Sequence, residues 1–378
     1  MAEKVSALHA IYVLDGVQEE YTPAQLLDAV TEPEGRHPLP GPVEARAVDE
    51  RLDPVFRGAD LDLDRVDAYL DAVCAAQKRV PAGAADAYTR MRVASALTDT
   101  IWRAGRFRLG DLRLDATWRW NESPVGARAA FYDSVQAAAD YVDALGLKFS
   151  AYRYVRTAGA SELLLKPRIT RDADEEEYGF VSEPFRSEHP VLGARRACPA
   201  TLVDDPQSWV VYIPFDTADF RLGGSLLWQA LDLGGGPAPQ ISDADYFLDG
   251  YEVVRELVED GIVLSGVTVG RGGLITALKR LTGPKVGASV ELADLARATG
   301  DRDIVRLLFS EVPGVLFQIA DIDYDYVDAE LLLQDIAFYP LGHPAPGRPG
   351  VNVTSSDKPG IQTILESIIR SQSSEGED

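Results

Sequence analysis

The sequence predicts a mixed α/β or α+β protein with two lobes. Strand-like and helix-like segments alternate along most of the chain, and 378 residues correspond to about two domains at roughly 150 residues each. Hydrophobic residues make up 46% and charged residues 26%, a composition typical of globular proteins that bury a core. The expected organisation is an irregular segment over 1–59, a first lobe over 60–166, a second lobe over 167–340 and a tail over 341–378.

The elements of the first lobe follow from the spacing of apolar residues. Positions that recur every three or four residues predict helices, and alternation with polar residues predicts strands. Prolines between residues 31 and 60 predict irregular structure there. The expected elements are a strand over 8–14, helices from Asp62 and over 87–101, a strand over 112–118, a helix over 127–145 capped by Gly146, and a strand over 161–165.

The second lobe shows the same alternation, followed by a tail of different character. The expected elements are strands over 208–215, 261–269 and 314–320, with helices over 243–260 and near 327–334. Four prolines in 340–350 predict a linker or a surface strap rather than a central strand. Beyond it, apolar residues over 361–369 have helical spacing. This amphipathic helix either docks on a partner or packs back on its own body.

Charge and cysteine content exclude several classes of function. Lysine and arginine number 37 against 60 acidic residues, giving a net charge of −23, so nucleic acids and membranes are not expected partners. The chain shows neither a signal peptide pattern nor a window of 18 apolar residues, which predicts a cytoplasmic protein. Cys74 and Cys198 are far apart, so neither a disulfide framework nor a thiolate zinc site is expected.

Two strand–glycine–helix junctions are the remaining candidates for ligand binding. They are RLGGS at 221–225 and GRGGL at 270–274. Backbone amides at such turns suit phosphate oxygens, although the same glycines also serve close packing, and the sequence leaves both roles open. The candidate phosphate-binding or ligand-binding residues are Arg221, Gly223, Gly224, Ser225, Gly272 and Gly273.

The order of these motifs carries a resemblance to a known family. Segments 215–235, 250–281 and 307–319 together resemble the C-terminal lobe of the AIR synthase superfamily, and most of all the second such half of large phosphoribosylformylglycinamidine synthase. Upstream, RMRVASALTDTIWRAG, LRLDATWRW and FYDSVQAAADYVDALGLKFS resemble family segments in the same order. The resemblance covers about residues 60–340. It implies a two-lobed fold whose N-terminal sheet pairs with a partner half.

The resemblance also implies an activity, and this sequence departs from the residues that the activity needs. The family converts a ribonucleotide amide to an amidine with ATP, magnesium and ammonia from a glutaminase. The metal-binding Glu and Asn of the family fall on Ser95 and Asp99. Its His and acidic residues at a later strand end are replaced by Val267, Thr268 and Arg271. Further departures are Ala84 for an Asp, Asp115–Ala116–Thr117 for "SAN", and Tyr152–Val155 for "GKDS".

Three functional hypotheses follow from the resemblance and its departures. The first is a degenerate half without catalytic residues or cofactor, which assembles with another superfamily subunit or with itself. The second is an active ATP-dependent ligase that takes Mg²⁺ and ATP, with Asp86, Asp99 and Asp115 as a rebuilt metal set and ammonia from a separate glutaminase. The third is an interaction module that docks through its acidic surface and the helix 359–370.

Overall fold

The chain divides into two compact units in the computed structural model. The described residues of unit 1 are 6–36, 48–49, 78–97 and 107–169, and those of unit 2 are 76–77, 98–106, 196–217, 219–230, 235–301 and 303–354. The predicted helix from Asp62, Cys74, the helix 359–370 and its apolar stripe 361–369 lie outside the described residues. Within the described ranges, none of the helices combines the length and hydrophobicity needed to cross a bilayer.

The described residues of unit 1 form two small three-stranded sheets and three α-helices. One sheet has the order β2–β1–β3, and in the other β4 lies between β5, to which it is parallel, and β6, to which it is antiparallel. The strands are β1 (Tyr12–Leu14), β2 (Val17–Gln18), β3 (Val48–Asp49), β4 (Leu112–Trp120), β5 (Lys148–Arg156) and β6 (Glu162–Ile169). The helices are α1 (Pro23–Ala29), α2 (Ala85–Ile101), whose residues from Thr98 onward belong to unit 2, and α3 (Ala127–Ala144).

Alternation along β4 builds the core of unit 1. Its apolar residues are buried at every second position, so one face of the strand packs inward. Trp118 donates its indole N–H to Ser134 on α3 at 3.0 Å, and the ring of Trp120 lies 5.6 Å from Phe131. Helix α3 ends close to its predicted end, and Gly146 follows it with a left-handed backbone conformation at φ 65°.

The N-terminal segment is more regular than the sequence analysis expected. Residues 1–59 were predicted to be irregular apart from one strand, yet residues 23–29 form α1. Thr22 and Gln25 form a reciprocal capping box, and Pro23 occupies the first turn, where its missing N–H costs nothing. The prediction is therefore wrong for this part, because a short capped helix needs little apolar periodicity.

Unit 2 is built on a six-stranded mixed sheet. The strand order is β12–β9–β11–β7–β10–β8, and all neighbours are antiparallel except β12 and β9. The strands are β7 (Trp209–Pro214), β8 (Val263–Val269), β9 (Val286–Glu291), β10 (Gly314–Ile319), β11 (Tyr339–Pro346) and β12 (Val351–Thr354). The helices are α4 (Leu226–Ala230), α5 (Ala244–Glu259), α6 (Gly273–Leu281), α7 (Ala293–Thr299), α8 (Ile304–Phe309) and α9 (Tyr324–Leu333).

A buried arginine on α5 fixes the chain that follows α2. Arg255 has no exposed surface and donates to the carbonyl oxygens of Ile101 at 2.6 Å, Arg103 at 2.9 Å and Gly105. It also pairs with Glu259 at 3.0 Å. These carbonyl groups belong to the last residue of α2 and to the chain just after it. A cation is electrostatically favourable at the C-terminal end of a helix.

The segment 340–350 is not the linker that the sequence predicted. Residues 339–346 form β11, an interior strand of the sheet, and β12 follows it. β11 pairs with β7 through 339–342 and with β9 through 342–346, so each half has one side without a neighbouring strand. A proline nitrogen needs no acceptor on such a side, which is why this proline-rich stretch is tolerated.

Candidate functional site

The first predicted glycine turn, 221–225, packs closely on its own unit. Gly223 donates its N–H to the carbonyl of Pro237 at 3.0 Å, and a Cβ at Gly223 would overlap the carbonyl oxygen of Gly236. Gly224 has φ 68°, in the left-handed region. Ser225 is fully buried, and its Oγ accepts the N–H of Trp228 at 3.1 Å. Close packing therefore requires glycine at position 223, and the backbone conformation favours it at position 224.

The second predicted turn, 270–274, joins β8 to α6. Gly272 and Gly273 have φ of 86° and 72°, and a Cβ at Gly273 would lie 2.5 Å from the carbonyl oxygen of Leu308. The hydroxyl of Thr276 donates to the carbonyl of Gly272 at 2.9 Å. Glycine is required here by both backbone conformation and space.

Glu311 brings the two turns together. One carboxylate oxygen accepts the N–H of Leu226 at 3.0 Å and the N–H of Gly272 at 2.8 Å, and the other lies 2.6 Å from Nη1 of Arg271. Only 1% of Glu311 is exposed. The carboxylate of Glu311 therefore accepts the backbone N–H groups of Leu226 and Gly272. Backbone N–H groups at such turns are the groups that were expected to bind phosphate.

Glu311 was not among the sequence-predicted site residues. The sequence signal is the LFSEVPG segment, which lies within 307–319, one of the segments that carry the family resemblance, and whose Glu and Gly belong to the family pattern. Its role as the link between the turns depends on a tertiary contact across 85 residues to Leu226 and 39 residues to Gly272, which spacing along the chain does not reveal.

Arg221 is the predicted residue that lines a cleft of about 970 Å³ in unit 2. Its guanidinium lies 3.4 Å from Asp219, and Arg306 on the same cleft lies 3.2 Å from Asp301. The carbonyl of Arg221 accepts the hydroxyl of Ser310 at 2.8 Å, which connects the cleft wall to the residue preceding Glu311. The glycines of both turns and Ser225 do not line this cleft.

Two other residues that line the cleft, Asp216 and Tyr246, accept hydrogen bonds from backbone N–H groups of the same unit. Asp216 accepts the N–H of Ser242 at 2.6 Å, just before α5, whose N-cap Asp243 accepts the N–H of Tyr246. Tyr246 accepts the N–H of Ala337 at 3.0 Å, and burial raises the pKa of its phenol. The wall of the cleft is therefore held by hydrogen bonds that join loops to one another and to the first turn of α5.

The three aspartates considered as a metal set belong to different units, with Asp86 and Asp115 in unit 1 and Asp99 in unit 2. Among the described residues, no group of three or more carboxylate, imidazole or thiolate side chains is placed to hold a metal ion. Asp115 lies 2.6 Å from Nε of Arg168, which neutralises its charge. Asp86 and Asp99 are exposed on α2.

An aromatic side chain covers the end of β8. The indole N–H of Trp102 donates to Oγ1 of Thr268 at 2.9 Å, and the ring occupies the space beside Gly266, where a Cβ would overlap it. The guanidinium of Arg196 lies 5.7 Å from the centre of the Trp102 ring, a cation–π contact. Trp102 and Arg196 thus pack on the part of β8 that holds Gly266 and Thr268.

Comparisons with known proteins agree with the resemblance found in the sequence. Phosphoribosylformylglycinamidine synthase of Homo sapiens is 24% identical over 276 residues, covering 71% of this chain and 19% of that protein. The Drosophila melanogaster protein of the same name is 23% identical over 271 residues, covering 68% of this chain and 19% of that protein. The chain therefore spans about a fifth of the length of these curated relatives.

The fold is shared with a solved structure. The structure named T. maritima PurL complexed with FGAR gives a TM-score of 0.53 at 14% identity, covering 76% of this chain and 44% of that chain. No family model matches the chain. The predicted mixed α/β class is confirmed. With its AIR-synthase-like fold and its similarity to phosphoribosylformylglycinamidine synthases, the chain is a relative of the AIR synthase superfamily.

Proposed function

We propose that this chain is a non-catalytic, AIR-synthase-like half with a degenerate Mg–ATP site, which assembles with a catalytic partner. The observation that carries the proposal is Arg271, which stands where the resembling family has an acidic residue and pairs with the buried Glu311 at 2.6 Å. The turns of the family are kept, and Glu311, which belongs to the same family pattern, accepts their helix-terminal amides. The scaffold is thus preserved while the binding groups serve packing.

The distribution of carboxylates supports the loss of magnesium binding. Mg²⁺ requires oxygen ligands in near-octahedral geometry beside the substrate phosphates. In this chain Thr268 is bonded to Trp102, and Asp115 is paired with Arg168. These contacts support the proposal that the described residues do not form a Mg²⁺–nucleotide site.

The energetics of Glu311 argue against displacement by a phosphate. A phosphate that took the N–H groups of Leu226 and Gly272 would force a carboxylate with 1% exposure out of its pair with Arg271. Breaking a buried ion pair costs about 3–5 kcal/mol, comparable to the whole gain from two charge-assisted hydrogen bonds. These amides therefore stabilise the lobe and do not bind substrate.

A catalytic partner would supply what this chain lacks. The two phosphoribosylformylglycinamidine synthases are about five times longer than the region that matches this chain. The chain therefore corresponds to one part of such a protein. We propose that the partner is another AIR-synthase-like subunit carrying the nucleotide site, and that this chain contributes scaffold surface to it. A second copy of this chain is the other arrangement that the proposal allows.

Isothermal titration calorimetry with Mg·ATP tests the proposal. Purified chain at pH 7.5 should give no binding heat up to about 1 mM nucleotide, the upper end of ordinary KM values. The same titration of D115N should also give no binding heat, because Asp115 pairs with Arg168 and does not bind a metal ion. Co-purification of a second superfamily member from the native host is the expected positive result.

Two outcomes would contradict the proposal. Micromolar, magnesium-dependent binding of ATP that D115N or D99N abolishes would identify the chain as an active ligase. A chain that binds no ATP and associates with neither a superfamily subunit nor a second copy, but loses another association when residues 359–378 are deleted, would be an interaction module instead.

A further inference from the structure

Exposed apolar side chains are concentrated around α9. Among the described residues, four of the nine large hydrophobic side chains that are exposed lie between 322 and 333. The exposed fractions are 89% for Ile322, 77% for Leu333, 74% for Leu332 and 47% for Tyr326. Single exposed apolar residues are ordinary, but a contiguous group marks an interaction surface.

The spacing of these residues forms a continuous stripe. Tyr326, Ala329 and Leu333 are separated by three and four residues, which places them on one side of α9, with Leu332 beside them, and Ile322 lies in the 3-10 turn that leads into the helix. Val327 and Leu331 are fully buried and hold α9 against its own unit. The α9 stripe, comprising Ile322, Tyr326, Ala329, Leu332 and Leu333, is therefore separate from the packing face of this helix.

Carboxylates surround the α9 stripe. Asp325 and Asp328 are exposed between its members, Asp321 is exposed just before Ile322, and no Lys or Arg occurs in the sequence from 307 to 347. The carboxylates of Glu330 and, from α5, Asp260 and Glu256 raise the pKa of the Tyr326 phenol, which shows that acidic groups of two helices face this residue. The surface is apolar along its centre and negative at its edges.

We propose that the α9 stripe is a docking surface for a basic amphipathic helix of a partner protein. Apolar residues at spacings of four and three on such a helix would pack on the stripe, and flanking Lys or Arg would pair with the surrounding carboxylates. Two other occupants fit the charge less well. A second copy would place acidic edges against each other, and residues 355–378 of this chain carry five acidic against two basic residues.

The test uses two labelled helical peptides that differ only in charge. Both carry Leu at four-three-four spacing, one with Lys at the flanking positions and one with Glu. Fluorescence anisotropy with the full chain should show saturable binding of the Lys peptide and about tenfold or weaker binding of the Glu peptide. L333S and I322S should each weaken binding of the Lys peptide about tenfold, since each removes a large apolar contact.

Matched variants separate this surface from general attraction to an acidic protein. V125S alters another exposed apolar residue, in unit 1, and should leave binding unchanged. Because Ile322 and Leu333 are exposed, L333S and I322S should keep the thermal midpoint of the wild type. Equal binding of both peptides, or equal binding by wild type and L333S, would overturn the proposal.

The other occupants give distinct results. A truncation after Thr354 that binds the Lys peptide more tightly than the full chain would show that the chain's own C-terminal segment covers the stripe. A concentration-dependent dimer in sedimentation velocity that L333S abolishes would show that a second copy does. Either result would overturn the proposal, and neither depends on whether the nucleotide site is active.

Discussion

Replacing Glu311 by alanine should destabilise unit 2 strongly. The substitution leaves Arg271, 5% exposed, without its carboxylate at 2.6 Å and removes the acceptor of two backbone N–H groups. Loss of one partner from a buried ion pair costs about 3–5 kcal/mol, and each orphaned buried donor about 1–3 kcal/mol. Because these terms overlap, we expect a total loss of about 4–6 kcal/mol in unfolding free energy.

Urea unfolding followed by tryptophan fluorescence measures this loss. E311Q should lose about half as much as E311A, because its amide oxygen still accepts from the two backbone amides while the charge is gone. D219N is the control in the same unit: its exposed pair with Arg221 at 3.4 Å should contribute less than about 1 kcal/mol. A loss below about 1 kcal/mol for E311A would refute the role of Glu311 as the link between the turns.

Two further predictions concern packing and protonation. G266A should lower the unfolding free energy by about 1–3 kcal/mol, because its methyl group would overlap the buried Trp102 ring, whereas G283A, with its nearest neighbour 3.9 Å away, should be nearly neutral in the same urea assay. Burial raises the pKa of the Cys198 thiol, so the unfolded chain loses this proton first, near its ordinary value of about 8.5. The stability that the thiol contributes is complete below that pH and is lost as pH rises toward the folded value. Wild type should therefore lose more stability than C198A between pH 8 and pH 10, and equal losses would contradict this reasoning.

Elements with strong apolar periodicity were predictable from the sequence. The helix over 87–101, the strand over 112–118 and the helix over 243–260 are all observed within a few residues of their predicted bounds. Each combines a buried stripe with a defined end, such as Asp243 at the N-cap of α5. Local signals sufficed because the same residues carry both the propensity and the burial.

The remaining features depend on contacts that local patterns do not contain. β11 was missed because its prolines are compatible with a strand only when its two neighbours pair with different halves of it. The glycine turns were found, but Glu311 was not assigned to them, since its partners lie on other elements. The metal set Asp86, Asp99 and Asp115 rests on the register of the family resemblance and stays a prediction, because Asp99 lies in a different unit from Asp86 and Asp115.

The change of partner along β11 also divides the large sheet of unit 2 mechanically. β9 and β12 are connected by main-chain hydrogen bonds to β7, β10 and β8 only through this strand, within the described sheet. Any force or local opening that separates the two groups of strands must therefore act near Gly342, the residue that pairs with both β7 and β9. The two groups of strands are therefore joined at Gly342, and the backbone conformation at this residue sets the twist of one group relative to the other.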